Sequence, residues 1–151
     1  MFIHGGGWVL GGFDTHERLV RELANKANVA VVFVNYTLSP EAKYPIALEQ
    51  AYAATRWVAQ NGQSININSS RLAVVGDSVG GNLTAALTLL AKERGGPPIR
   101  FYLTLRSNSI NVEVIFSLVL VIFLHNLYNH TIKILIVVKN APLPFCIVIG
   151  S

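Results

Sequence analysis

Apolar positions along residues 1–105 recur at two spacings, and that order is lost afterwards. Leu19, Val20, Leu23, Ala24 and Ala27 share one face at a period of 3.6, which predicts a helix over 14–28. Asp14, followed by Glu17 three residues later, has the form of a capping box for its start. The run over 29–34, VAVVFV, is continuously apolar and β-branched, as suits a parallel strand buried on both faces. A loop over 36–44 leads to Pro45, which can open a helix at its first turn. That helix runs to Gln60 with Ile46, Leu48, Ala51, Tyr52, Trp57 and Val58 on its apolar face, and Asn61-Gly62 ends it. Residues 71–75 form a second buried strand, 76–81 a tight turn and 82–94 another helix, which Gly95-Gly96-Pro97-Pro98 breaks. A further strand spans 99–105, and Phe2-Ile3 reads as a strand end entering a glycine turn. Strands and helices alternating at these lengths predict an α/β class: a mostly parallel sheet flanked by helices, with right-handed crossovers.

From Ser107 to Ser151 the alternation stops. This stretch holds one acidic residue, Glu113, and no glycine before Gly150. Three readings of it differ in consequence. Residues 114–124 are uncharged but short of the roughly 20 residues a membrane-spanning helix needs. Stretched over 112–128 they make a weak span, the one route to membrane contact. The plainer reading is a pair of β-like segments over 114–124 and 132–138. The third follows from enrichment in Asn, Ile, Phe, Leu, Lys and Tyr, as in translated AT-rich non-coding DNA. We adopt that reading: an α/β unit over 1–105 and an unrelated apolar tail over 106–151, from intron read-through or a frameshift.

Composition narrows the classes. Hydrophobic residues make up 52% and charged residues 13%, which excludes a charged, disordered chain. The formal net charge is +4, but the basic residues are scattered and no aromatic platform accompanies them, so no nucleic-acid partner is expected. The single cysteine, Cys146, has no disulfide partner and no metal-ligand spacing around it, and reads as a small buried hydrophobe. The N-terminus lacks the pattern of a signal peptide, and a cytoplasmic setting is the expectation.

Two glycine-rich turns carry the chemistry. Gly76-Asp77-Ser78-Val79-Gly80 fits Gly-x-Ser-x-Gly between a predicted strand and a predicted helix. A serine on such a sharp turn lifts its hydroxyl above the strand end, and the helix behind it aims free N–H groups at the same place. Ser78 is therefore the candidate nucleophile. His4-Gly5-Gly6-Gly7 lies 74 residues upstream across a strand–helix–strand–helix unit. Successive glycines let backbone N–H donors approach a substrate oxyanion without side-chain collision. The natural partner donor is Val79, the residue after the serine.

Together, His4-Gly5-Gly6-Gly7-Trp8, Tyr36-Thr37-Leu38-Ser39-Pro40-Glu41 and Gly76-Asp77-Ser78-Val79-Gly80-Gly81-Asn82 closely resemble the hormone-sensitive-lipase family of α/β hydrolases. The resemblance covers about residues 1–103 and leaves the family's pattern incomplete at both ends. It implies a partial α/β-hydrolase sheet and hydrolysis of small carboxylic esters, with no metal or organic cofactor. It implies that Gly5, Gly6 and Val79 donate to the oxyanion, that His4 braces the loop, and that Asp77 is not the triad acid. Trp8 is read equally as lining the acyl or alcohol pocket and as packing.

A serine nucleophile needs a histidine base and a carboxylate, which in this fold follow the serine with the acid first. Downstream stand Glu93, inside the helix behind the serine, and Glu113, His125 and His130 in a context foreign to the family. The expectation is a carboxylesterase or lipase-like lineage with this chain inactive for want of its acid and histidine. A non-catalytic small-ligand-binding module on the same scaffold is the alternative, and a membrane-anchored protein using 112–128 the third.

Overall fold

The structure, a computed structural model, describes residues 1–105 and 145–149. Five strands, β1 (Phe2–Ile3), β2 (Ala30–Val34), β3 (Ala73–Asp77), β4 (Phe101–Leu105) and β5 (Phe145–Ile149), form one sheet in the order β4-β3-β1-β2-β5. Three helices, α1 (Phe13–Ala27), α2 (Ile46–Asn61) and α3 (Val79–Glu93), connect the first four strands. Those four are parallel to one another, and β5 pairs antiparallel with β2.

Alternation along the buried strands assigns the layers. Val32 and Val34 face one way with Ile3 and Val74, and pack with Leu48, Ala51, Ala54 and Val58 of α2 and Leu83 and Leu87 of α3. Val31 and Phe33 face the other way with Phe2 and Val75, beneath Val20, Leu23 and Ala24 of α1. The doubly covered sheet predicted from the apolar runs is thus present, and burial on both faces is what made those runs continuous.

Several boundaries differ from the sequence reading for identifiable reasons. Helix α1 starts one residue before Asp14. Its first turn is closed by Thr15, whose hydroxyl accepts from Gly12 N–H at 3.1 Å and donates to Gly12 O at 2.8 Å. Strand β3 starts at Ala73 because residues 69–71 form a 3-10 turn, in which the Asn68 side chain accepts from Ser70 N–H at 3.1 Å. Helix α3 begins at Val79, three residues early, because Gly80 and Gly81 belong to its first turn. Strand β5 was not expected at all. The predicted β-like segments over 114–124 and 132–138 lie outside the described residues, as does the weak span over 112–128. Among the described residues no helix is long and apolar enough to cross a membrane.

Phe33 joins the core to the site. It is fully buried, stacks on Phe2 at 5.8 Å and on His4 at 5.4 Å, and meets Phe13 edge-on at 5.5 Å. Phe33→Ala should therefore destabilise the chain by about 3–5 kcal/mol, read as a lowered urea midpoint. A loss below about 1 kcal/mol would contradict this packing.

Candidate active site

The parallel register sets two chain reversals side by side. Phe2 lies opposite Val75 and Ile3 opposite Gly76, so the residues leaving β1 and β3 emerge at the same sheet end. Ser78 leaves β3 with φ 52° and ψ −120°, an unfavourable conformation for a residue with a side chain. Three bonds hold it there. Its N–H donates to Leu105 O at 2.8 Å, and its carbonyl accepts from Gly81 N–H at 3.0 Å and Asn82 N–H at 3.4 Å. Ser78 is exposed while Asp77 and Gly80 beside it are buried. Because α3 begins at Val79, the Val79 N–H has no partner within the helix.

The glycines around Ser78 answer to close approach of backbone. A Cβ on Gly76 would collide with Gly80 O, and one on Gly80 with Ile3 O and the His4 backbone. The end of β1 therefore rests directly on the first turn of α3, with no side chain between them. On Gly81 a Cβ would lie 3.0 Å from Thr104 Cβ of the neighbouring strand.

His4 is fully buried and braces the loop, as expected. Its Nδ1 is 2.7 Å from Gly5 O, and since a carbonyl can only accept, Nδ1 carries the hydrogen. Burial lowers its pKa and keeps the ring neutral, with Nε2 buried and unpartnered among the described residues. The Tyr36 ring stacks on it at 4.2 Å, and the Tyr36 hydroxyl donates to His4 O at 2.9 Å. Burial, with the charge of Asp77, pushes that phenol up to about 12, so it remains a donor at ordinary pH. Beyond Gly5 the loop turns through positive φ at Gly6 (114°), Gly7 (64°) and Trp8 (64°). Trp8 O accepts from Ser39 N–H at 2.8 Å, and the Trp8 side chain is 41% exposed.

The Asp77 carboxylate ties these parts together. Its Oδ1 accepts from Gly5 N–H at 2.9 Å, and its Oδ2 lies 3.5 Å from His16 Nε2 on α1. Burial alone would raise its pKa, but the His16 contact and charge and the Gly5 N–H outweigh burial and lower it. The Gly5 N–H, expected from the resemblance to face an oxyanion, is thus spent on Asp77. The N–H groups of Gly6 and Gly7 have no acceptor among the described residues. His16 escaped the sequence reading because a lone histidine in a helix's first turn belongs to no motif or apolar stripe.

Among the described residues Ser78 Oγ has no hydrogen-bond partner, and His4 and His16 are both engaged elsewhere. Glu93 ends α3, about 21 Å along the helix from Val79 at 1.5 Å per residue. Glu113, His125 and His130 lie outside the described residues.

A family model described as the alpha/beta hydrolase fold matches residues 1–113. The chain belongs to the α/β hydrolase family. Esterase LipI of Mycobacterium tuberculosis is 48% identical over 103 residues, which are 68% of this chain and 32% of LipI. Carboxylesterase NlhH of the same organism is 47% identical over 103 residues, with the same shares. A thermostable esterase from Pseudomonas putida, whose crystal structure is known, superposes with a TM-score of 0.67 at 52% identity, covering 74% of this chain and 36% of that one. These esterases bear out the resemblance to hormone-sensitive-lipase-like hydrolases. The chain spans about a third of the length of the curated relatives it matches.

In this α/β-hydrolase fold the contact between β1 and α3 leaves no room at residue 80. Gly80→Ala should cost about 1–3 kcal/mol or more, as overpacking does, although alanine is the better helix former. A melting temperature equal to or above the parent's would overturn the close contact.

Proposed function

We propose that this chain is the nucleophile-bearing part of a serine hydrolase acting on small carboxylic esters. The observation that carries this reading is Ser78 itself. It is exposed, held at φ 52° at the head of α3, and set beside a glycine loop with two unspent N–H donors. The esterase names of the relatives support an ester as substrate.

In this reading Ser78 Oγ attacks the ester carbonyl carbon while a base takes its proton. The carbonyl oxygen gains negative charge and is held by the N–H groups of Val79 and Gly6. Gly7 supplies the third donor in place of Gly5, whose N–H is bound to Asp77. Each such donor is worth about 3 kcal/mol in the transition state. The alcohol leaves with a proton, and water then releases the acid from the acyl-serine. These steps need side-chain and backbone groups only. Trp8, 41% exposed beyond the glycines, is assigned to the wall of the acyl or alcohol pocket.

The histidine base is not among the described residues. Without it Ser78 keeps its proton at neutral pH and is a weak nucleophile, so turnover by these residues alone is residual. That same fact favours the second reading, a ligand-binding module on the hydrolase scaffold.

A fluorophosphonate, which reacts with activated serines, separates the two. In a form of the protein with a complete triad, it should label Ser78, and Ser78→Ala should abolish labelling. A parent that resists the reagent favours the binding module. Labelling that persists at another serine in Ser78→Ala overturns the assignment of the nucleophile.

A further inference from the structure

His16 has no part in the hydrolytic steps above, yet its ring touches the group beside the nucleophile. It lies in the first turns of α1, half-buried against Phe2 and Phe33 at 6.1 Å each. Its Nδ1 is 3.2 Å from Gly12 O and 2.8 Å from Thr15 Oγ1, and the Thr15 hydroxyl is itself 2.8 Å from Gly12 O. Its Nε2 is 3.5 Å from Asp77 Oδ2. With the Thr15 hydroxyl donating to Gly12 O, both ring nitrogens face oxygens that accept, an arrangement that the doubly protonated ring satisfies on both sides. The other Asp77 oxygen holds Gly5 N–H at 2.9 Å. One chain of contacts therefore runs from α1 through His16 and Asp77 to the first peptide of the glycine loop.

We propose that His16 is a positioning residue that, through Asp77, anchors the glycine loop beside Ser78 and offsets the Asp77 charge next to the reacting serine. The consequence for turnover rests on the ester-hydrolase reading; the anchor itself does not. Two physical needs meet here. Gly6 and Gly7 adopt positive φ and have wide conformational freedom, so the direction of their N–H groups depends on what fixes the loop's first residue. The carboxylate is also one residue from the site where negative charge would develop. Unpaired, it would oppose that charge, and an imidazolium beside it cancels most of its field.

The titratable groups facing His16 are few. Asp77 faces it from the turn after β3. His4 faces it from the loop after β1, with ring centroids 5.5 Å apart, and is kept neutral by burial. Tyr36 stands behind His4, its phenol pushed up to about 12. The Asp77 contact and charge raise the His16 pKa against the effect of burial, and His16 in turn helps lower that of Asp77. The sign follows from linkage. The His16 contribution is full below its unfolded value of about 6.5 and fades as pH rises through the raised folded value. The Asp77 contribution is present above about 3.9 and fades as pH falls through the lowered folded value. The anchor is complete between those limits.

The test is a pH titration of the 151-residue chain by nuclear magnetic resonance, with ¹⁵N-labelled backbone and histidine rings. The expected result is a His16 midpoint above 6.5 and a Gly5 amide proton whose shift follows the same midpoint. Asp77→Asn should bring the His16 midpoint down, and His16→Gln should make the Gly5 amide independent of pH through that range. Amides of α3 beyond its second turn report that each variant is folded. If a variant fails to fold, the unsubstituted chain still decides. A His16 midpoint at or below 6.5, or a Gly5 amide that ignores it, overturns the proposal. The readout does not involve Ser78 reactivity, so its failure is separate from failure of the hydrolase reading.

Discussion

The bare backbone contact between the end of β1 and the first turn of α3 is the constraint on which the rest of the structure depends. With Ile3 O against Gly80 and Gly80 O against Gly76, three segments meet without a side chain between them. Only that approach lets the residues after β1 and the residue after β3 face the same volume. It requires glycine at 76 and 80, whereas the exposed residue between them is free to carry a hydroxyl. It also explains the conformation of Ser78. A turn this tight forces positive φ, and the bonds to Leu105 O and from the Gly81 and Asn82 amides hold the residue there.

Around this contact the buried polar groups form one connected set. Tyr36 holds the His4 carbonyl, His4 holds the Gly5 carbonyl, and Asp77 holds the Gly5 amide while facing His16. Buried polar atoms are costly when unpaired, so each of these bonds also restricts where its neighbour can go. The stacking of His4 on Tyr36 and Phe33 carries that order into the apolar layer beneath α1. A loop of three glycines, flexible by composition, is thereby anchored at its first member and open at the next two. That division of labour separates Gly5, which belongs to the framework, from Gly6 and Gly7, whose N–H groups have no acceptor among the described residues.

Much of this was legible in the sequence. The continuous runs of β2 and β3 and the stripe of α1 gave the α/β class, because burial on both faces and on one face leave different spacings. The Ser78 turn was legible because its glycine pattern fell between a strand and a helix. What escaped was set by tertiary contact. Gly80 and Gly81 looked like turn residues, yet they lie in α3, since the need for them comes from β1 and Thr104 and not from local conformation. Gly5 looked like its two neighbours, and only the Asp77 carboxylate distinguishes it. The pairing of β5 with β2 joins residues more than a hundred positions apart, and no local pattern announces it. Thr15 closed α1 where Asp14 was expected because its hydroxyl reaches both polar groups of Gly12.

The backbone approach of β1 to α3 sets Gly6, Gly7 and Val79 around one corner beside Ser78, the corner that we propose binds an anion. The most direct measurement is a crystal structure of a triad-complete form with Ser78 phosphonylated. The phosphonyl oxygen should lie about 2.7–3.1 Å from the nitrogens of Val79 and Gly6, with Gly5 N–H still bound to Asp77. A phosphonyl oxygen held by Gly5 N–H, with Asp77 displaced, or one turned away from both loops, would contradict it.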